Sequence, residues 1–221
     1  MPRTTLSIIV ITALALVPAE TRSAAELGSV QGQIRVLKNG KPRADHSNVV
    51  VYLEGIPASV AERKHAIRQR NLQFEPRVSV VVKGTTVDFP NDDKVFHNVF
   101  STSRSARFDL GLYRSGSSKS VQFKREGVVD VFCNIHPDMS SRVLVVPTTL
   151  FAATDVSGKF RIDGVPEGTY PIVVWHPNGA EVRGQVKIER GKAASVTFDV
   201  AEGERPKQHS RKDGTPYGRY D

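Results

Sequence analysis

Short runs of apolar and β-branched residues, separated by Gly, Pro, Asn and Asp, extend along most of the chain. The first run, 30–37, ends at Asn39 and Gly40, a dipeptide that is typical of a tight β-hairpin turn. About a dozen such runs follow, and their density predicts an all-β fold of sandwiches or barrels rather than a parallel α/β sheet. Segment 58–70 lacks the alternation and predicts a short helix or a mobile arm.

The two ends of the chain are predicted to lie outside the folded part. Segment 1–25 has an early basic residue, Arg3, an apolar stretch and then small residues, with cleavage possible after Ala19 or Ala25. This pattern is typical of a secretory signal peptide, and the apolar stretch is shorter than the roughly 20 residues that span a bilayer. We therefore expect an exported, periplasmic protein with no membrane span, an uncleaved anchor being the alternative. Segment 203–221 predicts a flexible basic tail.

The segment 129–139, VDVFCNIHPDM, places Cys133, His136 and Met139 at C-x2-H-x2-M spacing after a predicted strand. His97 lies upstream on another apolar run, VFHNVF. One thiolate, two imidazoles and one thioether form the ligand set of a blue copper site. A tight loop brings three of these side chains to one point, and a neighbouring strand supplies the fourth. The sequence therefore predicts a copper site.

Each of these residues taken alone has a structural explanation, because buried His, Cys and Met residues are common in cores. The composition favours the metal site, since Cys133 is the only cysteine and Met139 is the only methionine besides Met1. A single cysteine also excludes an internal disulfide and a multi-cysteine zinc site. Zinc accepts Cys and His ligands, but a thioether suits copper better.

At these positions the chain resembles the cupredoxin (type 1 blue copper) family, and within it the amicyanin-like, methylamine-utilisation-type periplasmic proteins. The resemblance lies in 74–101, in 128–139 and in the block FDLGLY followed by GSSKSVQF at 108–123. It implies a Greek-key β-sandwich over about 58–147. One departure is Asp138, which puts a charge where those relatives have an apolar residue.

The resemblance also implies a role for each matching residue. His97, Cys133 and His136 would bind one type 1 copper ion equatorially, and Met139 would bind it axially. Asn98 would lie beside the site, its side chain tying the upstream strand to the ligand loop. His136 would be the exposed ligand through which electrons pass.

A second departure is a further domain that begins at about residue 148. Segment 154–177 resembles the carboxypeptidase regulatory-like family of small, transthyretin-like β-sandwiches, and 28–55 resembles its opening strands. This implies one split sandwich, formed by 26–57 with 148–202, into which the copper domain is inserted. The alternative is that the N-terminal strands belong to the copper domain.

These features together predict a periplasmic one-electron carrier rather than an enzyme, since no catalytic triad, carboxylate pair or phosphate-binding loop is present in the sequence. The formal net charge of +8 favours an acidic redox partner, such as a c-type cytochrome or a dehydrogenase. Nucleic acid is not expected as a partner. Copper delivery or storage, and a non-redox interaction module on a cupredoxin scaffold, remain the alternatives.

Overall fold

The computed structural model describes residues 26–58, 64–204 and 209–217, so the predicted signal peptide lies outside the described residues. Within these ranges the chain forms strands and no helix, which confirms the all-β prediction. No helix of the described ranges has the length and apolar character needed to cross a bilayer. The strands are β1 (Gly28–Lys38), β2 (Lys41–Pro42), β3 (Val50–Leu53), β4 (Lys64–Ala66), β5 (Arg68–Arg70), β6 (Gln73–Glu75), β7 (Val78–Val82), β8 (Thr86–Pro90), β9 (His97–Ser103), β10 (Ala106–Tyr113), β11 (Ser118–Gln122), β12 (Gly127–Phe132), β13 (Ser140–Val146), β14 (Phe151–Ala153), β15 (Lys159–Val165), β16 (Gly168–Trp175), β17 (Val182–Ile188) and β18 (Ala193–Glu202).

The outer sandwich is built from both ends of the chain. One of its sheets has the order β15-β1-β18, with β2 paired to β1, and the other has the order β14-β3-β16-β17. Strand β1 pairs in parallel with β18 over ten residues and antiparallel with β15, so the N-terminal strand lies at the centre of a sheet formed with C-terminal strands. Strand β3 likewise lies between β14 and β16.

The inner sandwich consists of the strands between β3 and β14. Its larger sheet has the order β10-β9-β12-β13-β7, its smaller sheet has the order β11-β8-β4, and β5 and β6 form a separate hairpin. The two sheets enclose a core of Phe and Val side chains that also contains Cys133 and Met139. Two candidate ligands are therefore part of the hydrophobic core of this unit.

Three strands, β3, β13 and β16, bury both of their faces because they lie between two cores. On β13, Val143 and Val145 enter the core of the inner sandwich, while Leu144 and Val146 face the outer sandwich. The side chains between the sandwiches form a middle core, which consists of Val50, Tyr52, Val82, Leu144, Val146, Val173 and Trp175. This two-sided burial explains why VVYL, VLVV and IVVW are apolar without alternation.

Two segments differ from their sequence expectations. The described part of 58–70 forms β4 and β5 rather than a helix, because its side chains alternate between exposed and buried positions, with Ile67 and Gln69 buried. The described part of the predicted flexible tail, 209–217, lies against the inner sandwich. There His209 stacks on Phe132, with ring centroids 4.4 Å apart. Aromatic contacts order a segment whose composition is polar.

Truncation of Leu144 tests whether the middle core holds the two sandwiches together. We expect Leu144→Ala to lower the free energy of unfolding by about 2–5 kcal/mol, because it leaves a cavity in the packed middle core. Urea denaturation of the metal-free protein measures this value. Val156→Ala is the control, because Val156 is 64% exposed. Equal stability of the two variants would contradict a packed middle core.

Candidate metal centre

The loop that follows β12 carries three of the four predicted ligands. Cys133 follows directly after β12, and Met139 directly precedes β13. The Cys133 N–H donates to the Met139 carbonyl at 3.1 Å, and the Met139 N–H donates to the His136 carbonyl at 3.2 Å. The first bond joins the ends of a seven-residue loop and the second closes a turn inside it, so the loop holds Cys133 and His136 near one another.

The upstream histidine comes from the neighbouring strand. His97 is the first residue of β9 and is fully buried. Strand β9 pairs with β12 at Phe100 and Phe132, which places His97 at the end of the sheet where the ligand loop begins. The sequence therefore needs only one strand pairing to bring His97 and Cys133 together across 36 residues.

The structure brings His97, Cys133 and His136 together in a compact cluster of possible ligand atoms. The Nδ1 atoms of His97 and His136 lie 3.1 Å apart, and Cys133 Sγ lies 3.8 Å from the first and 3.5 Å from the second. A metal bonded at about 2.0 Å to nitrogen and about 2.3 Å to sulfur in a trigonal plane requires separations of about 3.5 Å (N···N) and about 3.7 Å (S···N). The observed triangle therefore fits one transition-metal ion.

Met139 and Asn98 complete the set of predicted residues. Met139 is fully buried in the same core as Cys133. Asn98 is buried, but its amide donates to Asp109 Oδ1 on β10 at 2.7 Å. The described hydrogen bond of Asn98 thus connects β9 to β10, whereas the expectation was a direct bond to the ligand loop.

Asp93 completes the surroundings of His97, although no sequence motif marks it. Its carboxylate lies 2.8 Å from His97 Nε2 and accepts the backbone N–H groups of Asn71 and Leu72. Burial alone would raise the pKa of Asp93, but the hydrogen bonds from His97, Leu72 and Asn71 together lower it. A carboxylate on the outer ring nitrogen fixes the tautomer of a histidine and leaves Nδ1 free to bind a metal. The spacing of four residues between Asp93 and His97 is the only sequence signal for this contact.

A hairpin holds Asp93 in place. Its turn residues Asn71 and Leu72 both have a left-handed backbone, with φ of 53° and 57°, and both donate to Asp93. The neighbouring Asp92 forms ion pairs with Arg68 and Arg70 on β5 of the same hairpin. The β5–β6 hairpin is therefore attached to the loop that precedes His97 by two adjacent carboxylates.

The electrostatics of His136 favour its metal-binding form. Burial lowers the pKa of His136, and the neighbouring His97 lowers it further. The imidazole is therefore neutral at pH 7, with a lone pair available for a metal. His136 is only partly buried, in contrast to His97 and Cys133, so it connects the cluster to the surface.

Two of the four described histidines outside the cluster accept backbone hydrogen bonds in the outer sandwich. His46 Nδ1 accepts the Val36 N–H at 3.0 Å, and His176 Nδ1 accepts the Asn178 N–H at 3.1 Å. Their nitrogen atoms stabilise turns of the outer sandwich.

The fold and the cluster together define an all-β protein with a buried thiol–imidazole cluster, whose donor atoms are of the kind that bind a transition metal. Among the solved structures similar to this chain is a Cu(I) form of an amicyanin mutant, at 21% identity and a TM-score of 0.36, covering 43% of this chain and 98% of that one. A purple cupredoxin from Nitrosopumilus maritimus is 25% identical with a TM-score of 0.33, covering 38% of this chain and 100% of that one. No protein-family model and no curated protein matches the chain.

Replacing Asp93 tests its role in orienting His97. We expect Asp93→Asn to weaken copper binding by about 10- to 100-fold, because the partner of the ligand's outer nitrogen loses its charge. Competition with a chelator of known affinity measures the change. Asp92→Asn is the matched control, because Asp92 contacts the same hairpin but has no described contact with His97. Equal affinities for the two variants would show that Asp93 does not act on the metal site.

Proposed function

We propose that this chain is an exported type 1 copper protein that carries one electron at a time between redox partners. The observation that supports this most directly is the triangle formed by Cys133 Sγ and the Nδ1 atoms of His97 and His136. In this proposal those three atoms would hold one copper ion, and the thioether of Met139 would be its fourth ligand. When bound, the copper ion supplies the Cu(II)/Cu(I) couple.

The surroundings of the cluster suit electron transfer in three ways. Cys133, His97 and Met139 are fully buried, which keeps water away from the thiolate and the inner imidazole. The ligands lie at strand ends or in a loop closed by its own hydrogen bonds, so their positions change little between oxidation states. The ligand set leaves no open position for a substrate, which favours a carrier over an enzyme.

The partly exposed His136 provides the route to a partner. Exposed apolar side chains lie next to the ligands along the chain, with Phe96 before His97 and Ile135 before His136. They supply an apolar contact area, while the net charge of +8 provides attraction at a distance. An acidic redox protein, such as a c-type cytochrome or a dehydrogenase of the periplasm, fits this combination.

The first test is a visible spectrum after one equivalent of Cu(II) is added to the chain from residue 26 onward. We expect an intense thiolate-to-copper charge-transfer band that is absent in Cys133→Ser, because the only thiol of the chain would be its source. His65→Gln is the control, because His65 lies outside the cluster and contacts Ser79. Copper uptake without a reversible potential would favour delivery or storage. Absence of copper binding would overturn the proposal in favour of an interaction module.

Replacing Met139 tests the axial role. We expect Met139→Leu to keep the charge-transfer band and raise the reduction potential, because loss of the thioether donor destabilises Cu(II) more than Cu(I). Leucine keeps a similar volume in the core, so the fold is retained. Cyclic voltammetry measures the potential. An unchanged potential would show that the Met139 sulfur does not contact the copper.

A further inference from the structure

The described C-terminal segment, 209–217, contacts three consecutive residues of the candidate centre; we call this segment the clasp. The His209 ring stacks on Phe132, the Tyr217 hydroxyl donates to the Cys133 carbonyl at 2.7 Å, and the Lys212 N–H donates to Asn134 Oδ1 at 2.9 Å. The contacts therefore lie on the thiol-bearing residue and on both of its neighbours.

The clasp has an internal structure that presents these groups together. The Arg211 N–H donates to the Thr215 carbonyl at 2.8 Å, and Asp213 accepts both the N–H and the hydroxyl of Thr215. The His209 and Tyr217 rings meet edge to face, with centroids 5.3 Å apart. A turn thus brings the two aromatic ends of the clasp to the same place.

The clasp also supplies the connection that Asn98 was expected to make. The Asn98 amide donates a hydrogen bond to Asp109 Oδ1, and the Lys212 ammonium group donates one to Asp109 Oδ2 at 2.6 Å. Lys212 in turn donates through its backbone to Asn134 in the ligand loop. The upstream strand and the ligand loop are therefore linked through a residue of the clasp.

We propose that the clasp is a positioning element that holds the Cys133 peptide in place, shields the thiol and slows metal exchange. The Cys133 carbonyl accepts its described side-chain hydrogen bond from Tyr217, and Phe132 beside it is covered by a ring of the same segment. With the clasp released, the loop at Cys133 opens more often. The part concerning metal exchange rests on the proposed copper site, whereas the shielding of the thiol does not.

The test uses the metal-free chain and the rate at which Cys133 reacts with a thiol-specific disulfide reagent. Tyr217→Phe removes only the hydroxyl, and we expect an increase of about two- to tenfold, the range that corresponds to one net hydrogen bond. A chain ending at residue 204 lacks all the clasp contacts and should react faster still. Tyr170→Phe is the matched control, because its hydroxyl contacts Glu167 in the outer sandwich.

Rates equal to that of the native chain in both clasp variants would overturn the proposal. Circular dichroism checks that each variant retains the fold. If the shortened chain does not fold, the thiol reaction rate of Tyr217→Phe alone tests the proposal. A second measurement follows copper transfer from the loaded protein to a chelator, where Tyr217→Phe should release copper faster and shift the charge-transfer band. If the native chain binds no copper, the proposed function fails. The thiol reaction rates then still test whether the clasp shields Cys133.

Discussion

Two-sided burial of β3, β13 and β16 is the constraint on which the rest of the structure depends. Alternate side chains of β13 enter different cores, so a shift of one residue would misplace both faces at once. This strand begins directly after Met139, so its register also fixes the end of the ligand loop. Arg142 adds a polar link, because its guanidinium donates to Asp130 and to the carbonyl of Pro177 in the outer sandwich. These contacts connect the outer sandwich to the strand that begins at the end of the ligand loop.

The candidate centre is held in place by contacts outside its possible ligand atoms. The outer nitrogen of His97 is bound by Asp93, and Asp93 is held by a hairpin turn. The loop ends at Cys133 and Met139 are joined by hydrogen bonds. The conformational entropy of the ligand side chains is thus lost on folding rather than on metal binding. Preorganisation of this kind increases the affinity for a metal.

Much of the fold and the members of the candidate cluster could be predicted from the sequence, because both depend on local patterns. Strand-length apolar runs reveal an all-β chain, and the spacing of Cys133 and His136 reveals the ligand loop. The role of Asp93 and the contacts of Tyr217 depend on pairings between distant segments, which leave no periodic signal. The described segment 209–217 also shows that polar composition alone does not determine order, since a few contacts of His209 and Tyr217 place it against the inner sandwich.

The position of the inner sandwich within the chain has a consequence for its evolution. The chain leaves the outer sandwich and returns to it at adjacent points, where the Ala58 N–H donates to the Pro147 carbonyl and the Leu53 N–H to the Leu150 carbonyl. Neighbouring entry and exit points permit one domain to be inserted into a loop of another without disturbing the host sheets. The inner sandwich can thus be regarded as a domain inserted into a loop of the outer sandwich. Exchange of such an inserted domain would replace the candidate centre and the exposed apolar residues beside it, while the sheets of the outer sandwich stay the same.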